Sequence, residues 1–137
     1  PNGQNIVFVS HRANNYDIFI MNQNGTELQQ LTHTVSGDYQ PSFSPDGLQI
    51  VYVSNRNNDY ELFIMDSDGQ NQWPLTNSVG VNLEPKFSPG GQKIYFTSDR
   101  DGYMRIFCLN LGQPVDRLTV KRRLNQSEYR LKRSSNR

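Results

Sequence analysis

Few side chains in this sequence have the type and spacing that enzymatic chemistry requires. Ser10 and His11 are adjacent, and Asp17 follows six residues after the histidine, so the nucleophile, base and acid of an acyl-transfer triad occur in one segment. Such chemistry requires a nucleophile held against an oriented base. No serine of the chain lies in a Gly-x-Ser-x-Gly elbow. The residue types of a triad are therefore present without its usual setting.

Metal binding and thiol chemistry are the other options that the residue types allow. Asp66 and Asp68 precede Gly69, but calcium takes about six to eight oxygen ligands, usually from a longer loop. Cys108 is the single cysteine, which excludes an internal disulfide. A reactive thiol would need an exposed, electropositive setting.

A repeated pattern determines how these residues are interpreted. A mostly apolar stretch that ends in Ser-x-Arg occurs three times with a period of 44 residues, and each copy later reaches a Leu-Thr pair. The stretches are Ile6–Arg12, Ile50–Arg56 and Ile94–Arg100, and the pairs are Leu31–Thr32, Leu75–Thr76 and Leu118–Thr119. A period of about 40–45 residues with several short strands predicts β-propeller blades.

The repeat argues against a catalytic role for the reactive side chains. Asn55 and Asp99 occupy the slot of His11 in the other copies, so a polar turn residue satisfies that position. Cys108 occupies the slot of Ile64, which predicts a buried side chain that acts as a small apolar group.

His33 and the Asp66–Gly69 segment are interpreted in the same way. His33 follows a Leu-Thr pair where the next copy has Asn77, and we expect it in a solvated loop. Asn22–Gly25 matches Asp66–Gly69, and asparagine and aspartate both tolerate the left-handed backbone of a turn. We therefore predict no catalytic residue, no metal site and no cofactor, and a protein that is not an enzyme.

The arginine of each Ser-x-Arg motif ends a predicted strand: Arg12, Arg56 and Arg100. Asp17 or Glu61 follows five residues later in the first two copies, and a hairpin would bring each pair together, whereas Arg105 takes this slot in the third. Because an exposed ion pair contributes only about 0–1 kcal/mol, we interpret these arginines as organisers of the turn.

A complete copy contains four short strands. In the second copy they are expected at Pro41–Ser44, Ile50–Ser54, Tyr60–Met65 and around Trp73–Leu75. Pro45–Gly47 is the first of the turns between them, in which proline fixes φ and glycine takes a positive φ. Pro1–Gly3 matches this turn, so the first copy lacks its innermost strand. The sequence thus predicts an all-β fold of three four-stranded antiparallel blades, at about residues 1–40, 41–84 and 85–120, the first without its innermost strand.

Composition and charge narrow the class of protein. Apolar residues make up 34% of the 137 residues, which favours thin layers between sheets over one large core. No apolar run of about 18 residues predicts a membrane span, and no leader that predicts a signal peptide is seen in this chain. Residues 121–137 contain seven basic residues and one acidic residue, against seven and twelve in residues 1–120. A basic tail on an acidic body attracts a second copy, an acidic partner or nucleic acid.

Four linked motifs of the second copy together resemble the TolB-type β-propeller repeat, a relative of the WD-type blade: Phe43–Gly47, Ile50–Arg56, Leu62–Gly69 and Leu75–Thr76. The resemblance covers residues 1–120. It implies a propeller of about six or seven blades, protein–protein binding and a periplasmic or extracytoplasmic location. Related propellers also stand in front of peptidase and lyase active sites.

Three blades form an arc, because a propeller closes with about 4–8 blades. Repeat units need neighbours that bury their apolar faces, so both ends of the arc predict association. Two chains would close a six-bladed ring with twofold symmetry, which makes a homodimer the favoured assembly. A fragment of a longer chain is the alternative.

The basic C-terminal tail, residues 121–137, departs from the repeat. It is either disordered or an exchanged strand, in which Glu128–Leu131 would add to the first blade of a second copy. Tyr129 is its one aromatic residue for stacking on a base, so we do not expect nucleic-acid binding.

The loops that lead into the innermost strands, His33–Gln40 and Asn77–Glu84, differ most between copies, and loops on a rigid scaffold commonly bind ligands. We predict a non-catalytic scaffold that binds protein or peptide through this tunnel rim. The alternatives are a fragment of a propeller that gates a peptidase or lyase, or a purely structural partial propeller without a ligand. The candidate binding residues are Asp38, Tyr39, Gln40, Asn82, Glu84 and Lys86.

Overall fold

A computed structural model describes residues 1–12, 14–112 and 132–133, and these residues form eleven β-strands and no helix. The described part of the chain therefore contains no helix that is long and apolar enough to cross a membrane. The strands are β1 (Asn5–Ser10), β2 (Asp17–Asn22), β3 (Gln29–Gln30), β4 (Asp38–Phe43), β5 (Gln49–Ser54), β6 (Glu61–Asp66), β7 (Trp73–Pro74), β8 (Asn82–Phe87), β9 (Lys93–Ser98), β10 (Arg105–Asn110) and β11 (Lys132–Arg133). The predicted all-β fold is confirmed.

The strands form three antiparallel sheets, one for each copy of the repeat. Blade 1 has the order β1-β2-β3, blade 2 the order β4-β5-β6-β7, and blade 3 the order β8-β9-β10-β11. Blade 1 starts at the second strand position, as its Pro1–Gly3 turn predicts. The turn between the first two strands of blade 2 closes when Gly47 N donates to the Ser44 carbonyl at 2.9 Å, and Gly47 has a φ of 74°.

The fourth strand of blade 3 is formed by Lys132–Arg133, whose backbone pairs with Cys108 and Phe107 of β10. In blades 1 and 2 the equivalent strand directly precedes a Leu-Thr pair. The residues around Leu118–Thr119, and the rest of the basic tail with Glu128–Leu131, lie outside the described residues. The blade limit at residue 120, and the tail as a disordered or exchanged segment, stay predictions.

Alternating side chains of blade 2 pack against both neighbouring blades. Ile50 and Tyr52 on β5 face blade 1, whereas Val51 and Val53 face blade 3, and all four are fully buried. Successive side chains of a strand point to opposite sides of the sheet, so a strand buried on both sides is apolar throughout. The core therefore consists of two layers between blades, which agrees with the modest apolar content.

The innermost strands of blades 2 and 3 each contain a β-bulge at the same slot. The register shifts between Tyr39 and Ser42 in β4, and between Leu83 and Lys86 in β8. Gln40 and Glu84 lie within these bulges with φ of 51° and 54°. Bulges re-aim side chains, and here they turn both residues outwards into solvent.

The strand register fixes which loops share one end of the blades. Asp38 pairs with Ser54, and Ser54 pairs with Glu61, so the loop into β4 and the hairpin between β5 and β6 leave the sheet at the same end. The loops at 33–37 and 77–81 and the hairpins at 11–16, 55–60 and 99–104 therefore form one rim, on which the predicted binding loops lie.

Candidate functional site

The six predicted binding residues lie at two depths. Gln40, Glu84 and Lys86 are exposed, and Tyr39 is half-buried. Asp38 and Asn82 are 0% exposed, so they cannot contact a partner without moving. The six residues thus divide into an outer group and a buried pair at equivalent slots.

Asp38 and Asn82 join neighbouring blades. The Asp38 backbone N–H donates to the Tyr16 carbonyl at 2.7 Å, and the Asp38 carboxylate pairs with Arg56 Nη2 at 3.1 Å. Asn82 donates through Nδ2 to Glu61 Oε2 at 2.9 Å and accepts a hydrogen bond from Arg100. These partners belong to the protein itself, so we assign both residues to the blade junctions and leave them out of the binding surface.

The three motif arginines are held over aromatic rings. The Arg56 guanidinium lies 4.4 Å from the ring centroid of Phe63 and 5.7 Å from that of Tyr52. Arg12 lies over Phe8 and Phe19, and Arg100 over Phe96 and Phe107, in the same arrangement. A cation over the face of a ring is attracted by its quadrupole. Each arginine therefore fastens the second and third strands of its blade.

The predicted hairpin pairs of arginine with Asp17 and Glu61 are wrong. Asp17 accepts from Thr32 Oγ1 at 3.2 Å, and the Glu61 carboxylate accepts from Thr76 Oγ1 and from the Ser78 backbone N–H. The Leu-Thr pair follows the fourth strand and brings its threonine beside this carboxylate. The arginine instead stacks on the rings of its own blade, as described above.

Among the carboxyl groups of the described residues, that of Asp17 lies in surroundings that disfavour its charge. Burial raises the pKa of Asp17, the hydrogen bond from Thr32 lowers it, the nearby Asp38 carboxylate raises it, and His33 lowers it. The net direction is upwards, because desolvation penalises the ionised form. Asp17 lies within a blade junction, so we interpret the shift as a cost of packing.

A row of aromatic side chains crosses the rim, and the sequence interpretation missed it. The ring centroids lie 4.8 Å apart from His11 to Tyr16, 5.4 Å from Tyr16 to Tyr39, and 6.1 Å from Tyr39 to Tyr60. Tyr16 is 48% exposed and Tyr60 is 37% exposed. We call these four residues the aromatic row. Tyr16 and Tyr60 share one slot of the repeat, and this periodicity is the signal that could have revealed them.

Three of the outer residues, Gln40, Glu84 and Lys86, line a groove beside the innermost strands. This tunnel groove has a volume of about 550 Å³, and its walls are Gln40, Glu84, Lys86, Tyr95, Phe96, Thr97 and Ile106. One wall carries an amide, a carboxylate and an amine on the innermost strands. The other wall is the open side of blade 3, where Ile106 is 62% exposed. The groove combines hydrogen-bonding groups with apolar surface, as ligand-binding pockets do.

The remaining candidates lie apart from the tunnel groove. His33 is exposed in its loop, and His11 makes an edge-to-face contact with Tyr16 in the rim. The predicted turn at Asp66–Gly69 is confirmed, since Gly69 N donates to the Asp66 carbonyl at 2.9 Å. Cys108 was expected to be buried, but it is only half-buried, because its side of blade 3 is open.

No protein-family model and no curated protein sequence matches the chain. Solved structures do match. A TolB from Agrobacterium tumefaciens superposes with a TM-score of 0.74 at 24% identity, over 80% of this chain and 43% of that protein. TolB from Acinetobacter baumannii gives a TM-score of 0.72 at 26% identity, over 82% of this chain and 28% of that protein.

An oligogalacturonate lyase from Vibrio parahaemolyticus gives a TM-score of 0.62 at 13% identity, over 83% of this chain and 36% of that protein, and this likeness is one of fold alone. The chain spans less than half the length of each of these proteins. The predicted resemblance is nevertheless confirmed by the two TolB structures, and the chain has the fold of three β-propeller blades similar to those of TolB.

Proposed function

We propose that the chain is a non-catalytic propeller scaffold that binds an extended protein segment or peptide along its innermost strands. The observation that carries the proposal is the hydrogen bond from the Glu84 backbone N–H to Gln40 Oε1, at 2.7 Å. Gln40 thus shows what the side chain in this slot does: it accepts a backbone N–H from the strand that lies next to it.

Glu84 occupies the same slot one blade later. Its backbone φ matches that of Gln40, and its side chain is exposed. A carboxylate accepts hydrogen bonds from backbone N–H groups more strongly than a neutral amide does. Glu84 can therefore accept the backbone N–H of a bound extended segment, as Gln40 accepts that of Glu84 between two neighbouring blades.

The surroundings of Glu84 fit such a segment. Lys86 offers a cation to a carboxylate or a carbonyl of the partner, and the groove wall opposite is apolar. The aromatic row supplies a contact surface on the rim, since tyrosine is enriched at protein interfaces. The periplasmic or extracytoplasmic location implied by the resemblance is part of the same proposal.

A random peptide library displayed on phage tests the proposal, because it needs no known partner. A selected peptide should bind the purified chain, and its affinity should fall roughly tenfold, or 1.4 kcal/mol, in the Lys86→Glu and Glu84→Lys variants. Lys93→Glu and Glu27→Lys are matched controls: both side chains are exposed, neither lines the groove, and Glu27 also has a positive φ of 55°. Equal losses in variants and controls, or no selected peptide, would contradict the proposal.

A further inference from the structure

Each end of the arc of blades exposes one side of a sheet. We call the open side of blade 1 the leading face and that of blade 3 the trailing face. On the leading face Ile6 pairs with Met21 and Phe8 pairs with Phe19, and on the trailing face Tyr95 pairs with Cys108 and Thr97 pairs with Ile106. The opposite sides of these blades pack on blade 2. Ile6, Tyr95 and Ile106 are 41%, 40% and 62% exposed, so both faces present apolar surface to water.

The junction between blades 2 and 3 shows what fits these faces. Blade 3 contributes Ile94, Phe96, Phe107 and Leu109 to it, and blade 2 contributes Val51, Val53, Leu62 and Ile64. The first set occupies the slots of the leading face, and the second set occupies those of the trailing face. The protein therefore already contains, buried in its centre, the contact of a trailing face with a leading face.

A proline in the turn of one blade lies near a glycine in the turn of the next blade, and the arc has an unused proline at one end and an unused glycine at the other. A Cβ atom added to Gly47 would lie 3.5 Å from Pro1, and one added to Gly91 would lie 3.6 Å from Pro45. The next members of the series are Pro89 and Gly3. Pro89 is exposed, and Gly3 has a φ of 75° with no heavy atom within 4 Å of an added Cβ. Pro89 and Gly3 can make the same contact only if the trailing face of one chain meets the leading face of another.

We propose that a second copy of this chain covers both faces, with the trailing face of each copy packed on the leading face of the other. Two copies supply six blades, which lies within the closed range of about 4–8, whereas three copies would supply nine. Cyclic twofold symmetry closes this head-to-tail contact without a remaining open end. The assembly goes beyond peptide binding: it would cover Tyr95, Thr97 and Ile106 on the blade 3 wall of the tunnel groove and leave Gln40, Glu84 and Lys86 on the innermost strands for the bound segment.

Sedimentation of the full chain over a range of concentrations tests the ring. We expect a reversible dimer whose dissociation constant rises at least about tenfold when Ile106→Glu or Ile6→Lys places an unpaired charge in the contact. Val79→Glu and Leu48→Lys are matched controls at exposed apolar residues of a loop and a turn, and they should leave the dimer unchanged. Because Ile106 also lines the tunnel groove, peptide affinity is measured in the Ile6→Lys variant, whose substitution lies outside that groove, so failure of one proposal leaves the other standing.

Mixing the Ile106→Glu and Ile6→Lys variants tests the orientation of the contact and also shows that both are folded. In a head-to-tail ring, the carboxylate introduced on the trailing face of one copy would meet the amine introduced on the leading face of the other. The second junction would be wild type, so the mixture should dimerise more tightly than either variant alone. Cys108 should react more slowly with a thiol reagent in the dimer. A monomer at all concentrations, growth beyond two chains, or a mixture that fails to dimerise would overturn the proposal.

Discussion

Arg56 connects several strands and loops of blade 2. It stacks on Phe63, pairs with Asp38, and donates to Tyr52 Oη and Gln72 Oε1, both at 3.1 Å. A planar guanidinium can stack and donate in its plane at once, which the ammonium of lysine cannot do. The residue therefore links an innermost strand to the outer part of its blade.

Arg56→Ala should destabilise the fold by about 3 kcal/mol, because it leaves the buried Asp38 carboxylate without its cation. Arg12→Ala is the matched control: Arg12 also has two aromatic rings beneath it, Phe8 and Phe19, but no ion pair among the described residues, and its loss should cost about 1 kcal/mol. Urea unfolding measures both. Asp38→Asn should restore part of the loss, since Asn82 occupies the equivalent slot, and equal costs for the two arginines would contradict this account.

Asp17 makes stability depend on pH. Burial raises the pKa of Asp17 above 3.8, so its protonated form favours the folded state, and that contribution is lost as pH rises through the raised pKa. Asp17→Asn keeps the acceptor for Thr32 and cannot ionise. We expect it to be more stable than the wild type at neutral pH, with an advantage that shrinks as pH falls towards 3.8.

Unfolding midpoints measured across this pH range test the expectation, with Asp68→Asn in an exposed turn as the control for the loss of one charge. Asp38 and His33 both act on Asp17, and Arg56 is paired with Asp38, so the pH dependence belongs to this group of residues. A gain that did not change with pH would contradict the assignment.

The innermost strands β4 and β8 contain Gln40 and Glu84, the two residues on which the proposed function depends. Gln40→Ala should cost about 1 kcal/mol, because the Glu84 backbone N–H loses its acceptor. Glu84→Ala truncates a side chain of the same length to alanine at almost the same φ, so the effect of the substitution on backbone strain cancels in the comparison. A thermal unfolding series should rank Gln40→Ala as the less stable variant, and identical midpoints would show that the hydrogen bond contributes nothing.

Strand identity was readable from the sequence because blade 2 buries both sides of its sheet. Val51 and Tyr52 are both apolar yet face different neighbours, and the period of 44 residues placed their equivalents in the other blades. The bulges could not be predicted from the sequence, because positions 40 and 84 hold Gln40 and Glu84 rather than a glycine, which would have indicated a positive φ. The fourth strand of blade 3 was not readable either, since Lys132–Arg133 lies outside the repeat.

For the whole molecule, the repeat predicted the arc of blades but only part of the candidate site. The solvent exposure of a rim side chain depends on how deep its position lies between two sheets. The sequence pattern does not predict that depth. Asp38 and Gln40 are two residues apart, yet one is fully buried and the other exposed. The aromatic row likewise depends on contacts between blades that are distant in sequence.

Gly3 and Pro89 occupy the same repeat positions as Gly91 and Pro45, which lie close together. The repeat is therefore compatible with duplication of the whole segment within one gene. A gene that carried it twice in one reading frame would encode twice the number of blades with no new packing residue, only a linker. The length of such a protein can thus change in whole multiples of this unit while every internal boundary keeps side chains that are already matched.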